Sequence, residues 1–503
     1  MNTLTRSHRI AIGATLIGLL ILTLCYLLPI DPQGPFDARD FSTLSGMRLE
    51  QSAVATLIEP WAAPFHIVAG APDFRLAGLS GLIWVICGVA LWRVVSDLRA
   101  ARRRSLRTRV LRAVITGFAA GFVMALWVGS TVTLRLPRWR LVVDDPNALI
   151  VDLHSHTYGS HDALVSGPQN LAWHAAAGYN TVAVTEHRYP AGAFTTKQYA
   201  QRAPDALPAV IPGQELGFFY QREYMPMVLL GLQTDYVESP NMGEDSPAQY
   251  MTYIHDTQRG AAIALGFMLG PEQAGVLADA GIDGFEIANY GHPNIPAAVR
   301  NAMLEAARKH GLALVASSDW HGCGGTSRTW TVIHTSSPVA SLSQQQKADL
   351  VIKKLRQRGS KDIVPVVAGY LGPPSWPRAI FSPFVEAFRY AAELTFVQVA
   401  AWWVWSAVML GLAHALSRVG LQSRWGFPLL LLAVLGISQW WTGLELVVVK
   451  PHGLLASGFP RHIGTYVLMC GTAALLGCGW LGRHAWRKRT RLKEGRLPSR
   501  PGP

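Results

Sequence analysis

The sequence predicts an α/β fold, a seven-stranded distorted β/α barrel flanked by α-helical transmembrane bundles, and three observations carry that prediction. Half of the 503 residues are apolar and only 15% are charged, a composition that points to membrane spans before anything else. Short β-branched and apolar runs alternate with helical stretches between residues 145 and 375, the pattern of a parallel sheet with crossover helices. Histidines and acids scattered over more than 160 positions each fall at the end of one of those runs.

Along the chain, the first elements are apolar runs at 9–30, 76–95 and 112–134, each near the roughly 20 residues a helix needs to cross the bilayer. Three more lie at about 391–416, 425–449 and 462–482. The chain therefore divides into an N-terminal membrane region (1–144), a central globular domain (145–375) and a C-terminal membrane region with a basic tail (376–503). The first run is read as an anchor, because Cys-Tyr-Leu-Leu-Pro-Ile-Asp offers no small-residue cleavage site after it. Residues 52–71 are apolar enough to lie in the interface or re-enter the bilayer, although Glu59, Pro60 and Pro64 argue against a span.

Arginine sets the orientation, since cytoplasmic flanks carry the excess of cations. RVVSDLRAARRRSLRTRVLR after the second run and RHAWRKRTRLKEGRLPSR at the end are dense in arginine, whereas 31–75 and 449–461 are not. Six spans with both termini inside follow, placing the central domain on the periplasmic (extracytoplasmic) side of an inner, or plasma, membrane. The net charge of +13 is then largely a topology signal, and no nucleic-acid partner is expected because the central domain is not notably basic. Of five cysteines only Cys323 lies in that domain, so no disulfide forms within it.

The expected strands are 148–154, 181–187, 209–215, 227–232, 261–266, 284–289 and 313–319. The helix PQNLAWHAAAGYN follows a Ser-Gly-Pro start, and NIPAAVRNAMLEAARKHG stops on Gly311, where a left-handed cap is cheap. In a β/α barrel the functional face is the one at the C-terminal strand ends. His154, His187, Glu215 and Asp319 all terminate predicted strands. His154 and His156 form an H-x-H pair whose alternation puts both imidazoles on one side, suited to one cation. Asp319 and His321 repeat that spacing on the last strand, so the two pairs should be neighbours if the barrel closes.

DLHSHTYGSHDALVS, TEH at 185–187, PGQE at 212–215 and SSDWHG at 317–322 resemble, in order and spacing, the motifs of the PHP (polymerase and histidinol phosphatase) family of metal-dependent phosphoesterases. The resemblance covers about residues 148–335. It implies that His154, His156, Glu215 and Asp319 hold one divalent metal ion, with Glu215 able to bridge to a second held by His187, His321 and either His161 or Asp162; Asp162 has the better separation from the H-x-H pair. Zinc, manganese or iron would suit this donor set. Where many members carry third-site histidines, this chain has Met225 or Met227 and Leu265, which do not suit a hard or borderline cation, so two ions are expected; His292 is a candidate substitute. The reaction implied is hydrolysis of a phosphate ester by metal-activated water, with His154, His156, Glu215, Asp319 and His321 as catalytic groups and Arg188 and Arg328 as contacts for phosphate oxygens. The expected partner is a phosphorylated small molecule, or a lipid or envelope intermediate in the membrane. The competing readings are a non-catalytic metal- or ligand-binding sensor or assembly protein, and a metal-dependent hydrolase of a non-phosphate bond.

Overall fold

A computed structural model of the chain describes residues 6–28, 34–69, 71, 74–99, 105–132, 134–187, 189–220, 222–234, 246–292, 295–324, 327–359, 361–369, 376–418, 423–448 and 458–493. The N-terminal third contains helices α1 (Arg6–Leu27), α2 (Ala53–Ala69), α3 (Phe74–Arg99) and α4 (Leu106–Val132), with short strands β1 (Phe36–Asp37) and β2 (Met47–Glu50). The central part runs β3 (Arg140–Val143), β4 (Ala148–Asp152), α5 (Gly167–Ala176), β5 (Thr181–His187), α6 (Ala191–Ala200), β6 (Ala209–Tyr220) and β7 (Glu223–Leu230). It continues through α7 (Pro247–Thr252), β8 (Ala261–Leu265), α8 (Pro271–Asp279), β9 (Gly284–Asn289), α9 (Ala297–His310), β10 (Ala313–Ser317), β11 (Thr329–His334), α10 (Gln344–Arg356) and β12 (Ile363–Val367). Helices α11 (Trp376–Ala392), α12 (Phe396–Arg418), α13 (Ser423–Val448) and α14 (Phe459–Lys493) follow.

One curled sheet organises the centre, in the order β1-β12-β11-β4-β5-β6-β7-β8-β9-β10. It has ten strands where seven were expected, and it is mixed where a parallel sheet was expected. The seven expected strands correspond to β4 to β10. The additions are β1, β11 and β12, all antiparallel. β7 also runs antiparallel to both neighbours, because Tyr220 lies opposite Glu223 and Arg222 takes a φ of 70°. A turn that tight leaves no room for the crossover helix a parallel pair requires.

Threonine side chains draw the two ends of the curl together. Ala316 N–H donates to Thr331 Oγ1 at 3.0 Å and that hydroxyl donates to Ala316 O at 2.8 Å. Asp319 N–H reaches His154 O at 2.8 Å, and His156 N–H reaches Trp320 O at 3.0 Å. The ends of the first and last expected strands are therefore side by side.

Alternation along each strand sorts the core into two faces. Leu149, Val151, Leu153, Ile211, Ile263, Leu265 and Val315 pack together with Val351 and Leu355 of α10. On the other face Phe285, Ile287, Met225 and Met227 pack against Leu277, Val299 and Met303 of α8 and α9. Each of these fully buried side chains is worth about 1.5–3 kcal/mol relative to exposure. Local signals set the helix limits: Ser166 accepts from Gln169 N–H in a reciprocal capping box at the start of α5, and Gly311 ends α9 at a φ of 66°.

Among the described residues, four helical segments are long and apolar enough to cross a membrane: Arg75–Arg99, Leu106–Thr131, Leu429–Val448 and Phe459–Arg483. Ile380–Ala392 and Phe396–Leu412 form a pair bent by 111°, and Ile12–Leu27 and Ala53–Ala69 are shorter apolar helices. This is fewer than the six independent spans expected. The shortfall lies in the first run, whose apolar helix is short, and at α11–α12, where the span belongs to a bent pair. α11 leaves Ile380, Phe381, Phe384, Val385 and Phe388 exposed in one stripe, with Ser80 Oγ and Trp84 Nε1 of α3 donating to Ile380 O.

Buried charge joins the helices to the sheet. Arg138, fully buried, lies 3.0 Å from Glu393 and 3.7 Å from Glu59. Glu393 also pairs with Arg389 at 3.1 Å and with Arg328 at 3.5 Å, while Glu59 meets His66 at 2.9 Å.

Candidate metal centre

The site is assembled by parity. Ile211, Gly213 and Glu215 alternate on β6, as Ala183, Thr185 and His187 do on β5, so the ligand-bearing positions continue the face of the Ile211 and Ala183 core beyond its edge. His154 follows Leu153 of the same core. Asp319 holds a φ of 50°, a left-handed conformation costly for a non-glycine residue and concentrated at functional sites. Gly291 lies close beneath it, where an added Cβ would meet Asp319 Oδ2 at 2.9 Å.

His154, His156, Glu215 and Asp319 bring one ligand atom each within 4.8 Å of one another, and all four are buried. Glu215 Oε2 lies 3.1 Å from His154 Nε2, 3.2 Å from His156 Nε2 and 3.3 Å from His187 Nδ1. It stands between two groups of donors, as a bridging carboxylate would. Asp319 Oδ1 is 3.3 Å from His154 Nε2 and 3.2 Å from His156 Nε2. The second group holds His156, His187 and His321, with Asp162 Oδ1 at 3.5 Å from His187 Nε2 and 3.4 Å from His321 Nε2. His161 forms a further cluster with Asp162 and His187, but its side chain is 63% exposed. Of the two alternatives left open, Asp162 is the one that touches both imidazoles.

A sequence reading missed the groups that orient these ligands. His154 Nδ1 donates to buried Glu286 at 3.2 Å, and Asn289 Nδ2 donates to Glu286 at 2.7 Å. His156 Nδ1 donates to Ser160 Oγ at 2.9 Å, whose own proton goes to buried Glu186 at 2.6 Å. With Nδ1 engaged by Glu286 in one ring and by Ser160 in the other, both imidazoles turn Nε2 toward the centre, the arrangement by which outer carboxylates fix metal-binding histidines. A signal existed for Glu286: it is the one charge inside the apolar strand GFEIAN.

The donor set fits a divalent cation. His156 Nε2, His321 Nε2, Asp162 Oδ1 and Asp319 Oδ1 are buried with no hydrogen-bond partner, although each lies within 3.5 Å of an opposing group. They converge on the space between them rather than on one another, and orphaned buried polar atoms of this kind are costly unless something else satisfies them. Imidazole nitrogens with carboxylate oxygens suit zinc, manganese or iron.

Charge responds accordingly. Burial disfavours charge on His154, yet Asp319, Glu215 and Glu286 together hold its pKa well above the usual value. Burial likewise opposes charge on His321, but Asp162 and Asp319 raise it to about 9. His156 goes the other way, lowered by burial and by the neighbouring His321. Burial would raise Asp162, Glu215 and Asp319, and the surrounding imidazoles pull all three below the carboxylate range instead.

The remaining candidates separate. Arg188 lies outside the described residues. Arg328, expected to contact phosphate oxygens, is only 4% exposed, and its guanidinium pairs with Glu393 at 3.5 Å at the end of α11. Met225 and Met227 face the α8–α9 layer and Leu265 the core. His292 Nε2 is 3.8 Å from Asp319 Oδ2 and its ring stacks on Phe267 at 4.1 Å. His174 is a core residue bonded to Asp152 and Asn170 O, each at 2.8 Å.

Fold and site together define a curled mixed α/β sheet carrying a His/Asp/Glu cluster that could bind a divalent cation, joined to apolar helices. No protein-family model matches the chain, and no curated protein matches its sequence. Among solved structures it is similar to a protein of Bifidobacterium adolescentis provisionally assigned as a metal-dependent phosphoesterase, at 16% identity and a TM-score of 0.29 over 35% of this chain and 88% of that one. It is also similar to an amidohydrolase of Chromobacterium violaceum solved with sulfate and no metal, at 16% identity and a TM-score of 0.27 over 34% of this chain and 87% of that one. PsfC of Pseudomonas syringae gives 12% identity and a TM-score of 0.31 over 49% of this chain and all of the other.

Proposed function

We propose that the chain is a membrane-anchored, metal-dependent phosphoesterase with its site on the extracytoplasmic side. The observation that carries the reading is Glu215 Oε2 standing within 3.3 Å of three imidazoles, two from the H-x-H pair after β4 and one from the end of β5, with orphaned donor atoms on either side. The motif resemblance to PHP phosphoesterases supports the same class. His154, His156, Glu215 and Asp319 would hold one cation, and His187, His321 and Asp162 a second beside Glu215. Bound there, divalent cations supply Lewis acidity for the phosphate ester and acidify water. The chain's own part is positioning: Glu286 and Ser160 lock the His154 and His156 rings, and the depressed pKa values of Glu215, Asp319 and Asp162 keep these carboxylates charged and available at neutral pH.

The full chain, purified in detergent and supplied with Mn²⁺ or Zn²⁺, should hydrolyse a phosphomonoester or diester and leave amides untouched; His154→Ala should remove the activity. Turnover of amides alone would move the site to another hydrolase class. Metal binding without turnover of any of the three would favour the sensor reading, which the apolar residues at Met225, Met227 and Leu265 also support.

A further inference from the structure

We infer that the substrate of this site is the phosphate ester of a lipid lying in the same bilayer as the apolar helices, an inference that rests on the phosphoesterase reading above. The helices meet the sheet at the face that carries the ligands. Three loops at the C-terminal strand ends carry or flank the ligands, and all three contact helix ends. After β4, Leu164 O accepts from Arg135 at 2.9 Å, and Arg135 pairs with Glu445 of α13 at 2.6 Å. Gln169, at the start of α5, donates to the same Glu445 at 2.7 Å. After β9, Tyr290 Oη donates to Ala69 O at the end of α2 at 3.1 Å. After β10, Phe65 of α2 presses on Gly324, where an added Cβ would meet its ring at 2.1 Å.

The separation is short. Leu164 N–H donates to His321 O at 2.7 Å, so a ligand residue stands two hydrogen bonds from an arginine three residues beyond the end of α4. Arginine-rich sequence lies at the far ends of these helices, after Arg99 and before Leu106. The headgroup layer of a bilayer is roughly 5–8 Å thick on each side, so the strand-end face sits at its edge.

What rims the site is apolar on that side. β6 and β7 continue five residues past Glu215 to Tyr220, about 17 Å at 3.3 Å per residue, in the direction of the helix ends. The hairpin exposes Phe219 (46%) and Tyr224 (39%), whose rings lie 5.3 Å apart, and Met268 (46%) follows β8 at the same level. With Tyr189 after β5, these residues place exposed apolar side chains at the same strand ends whose neighbouring loops meet α2, α13 and the chain after α4. Aromatic residues with one wet end favour the membrane interface. A soluble sugar phosphate gains nothing from such a rim; an acyl or prenyl chain below a headgroup phosphate does.

The reaction consumes one water: the P–O bond to the headgroup or lipid oxygen breaks, the water oxygen stays on phosphorus, and the alcohol leaves with a proton. The test uses the full chain reconstituted with Mn²⁺ into phosphatidylcholine vesicles containing phosphatidic acid or phosphatidylglycerol. The soluble arms are glycerol 3-phosphate, glycerophosphoglycerol and p-nitrophenyl phosphate. One lipid should be hydrolysed at least about tenfold more efficiently than its soluble counterpart, the factor that one or two buried apolar side chains can supply. Phe219→Ser and Met268→Ser should each lower the lipid reaction severalfold and leave p-nitrophenyl phosphate hydrolysis unchanged. Equal or better use of the soluble counterparts, or variants that affect both arms alike, would overturn the lipid inference while leaving a phosphoesterase. No turnover in any arm by metal-loaded protein would overturn both readings.

Discussion

His154 shows how one residue gathers the site. Its Nδ1 proton is held by Glu286, and its Nε2 faces Glu215 and Asp319 at 3.1 and 3.3 Å. Replacing Glu286 with Gln keeps shape and removes charge, so metal affinity should fall about 10–100-fold, the usual effect of an outer-shell partner. Elemental analysis after dialysis against graded chelator would measure it, and an affinity kept by Glu286→Asp, which retains the charge on a shorter side chain, would mark the charge as the cause. Asp162→Asn should lose the ion shared with His187 and His321 and keep the one held by His154, halving metal per chain.

Protons compete with metal here, and the sign can be worked out. His321 has its pKa raised to about 9 in the metal-free site, so at neutral pH it carries a proton that metal must displace. Metal affinity should therefore climb with pH up to about 9, by about tenfold per unit for each proton released. Without metal, the raised pKa stabilises the fold below the unfolded value near 6.5, and that contribution is lost as pH rises through about 9. Calorimetric titration in buffers of different ionisation enthalpy would count the protons. Most of the ligand set was legible residue by residue, because strand-end acids and histidines at alternate positions have few structural reasons to exist. Glu286 and Ser160 were not, since their role depends on the rotamer of a partner 132 positions away in one case and in a turn in the other.

At the scale of elements, the β6–β7 hairpin and the β4–α5 loop matter most. Strand positions were legible from β-branched runs and from the two-residue side-chain period. The direction of β7 was not, because an apolar run such as MPMVLL reads the same whether its partner is parallel or antiparallel. β11 and β12 follow the last ligand motif and were overlooked there, although TWTVIH carries the alternation of a strand. The loop bearing Asp162 is held by Arg135 between Leu164 O and Glu445. Arg135→Met should loosen that loop, lowering occupancy by the ion at Asp162 severalfold while occupancy at His154, His156, Glu215 and Asp319 stays full.

Across the whole molecule, sheet and helices are held by charges taken out of water. Arg138 is fully buried against Glu393 and Glu59, and removing one partner of such a pair typically costs about 3–5 kcal/mol. Glu393→Ala should lower the thermal midpoint of the full chain in detergent and expose Arg138 and Arg328 to solvent, seen as faster hydrogen exchange at β11. Saturating metal should raise the midpoint, since ligand at about 100 times its dissociation constant adds about 2.7 kcal/mol to the folded state; chelator should reverse the rise.

Apolar runs near bilayer length, the arginine clusters beside them, and donors at strand ends are local properties, written in composition and in periods of two and 3.6 residues. These the sequence determined by itself. Whether β7 runs with or against its neighbours, that Arg328 pairs with Glu393, that Asp162 rather than His161 reaches both imidazoles, and that the ligand-bearing face meets the helix ends were decided only by tertiary structure. Each depends on which side chains become neighbours across long stretches of chain, and hydrogen bonding and charge pairing at such contacts have no period to read.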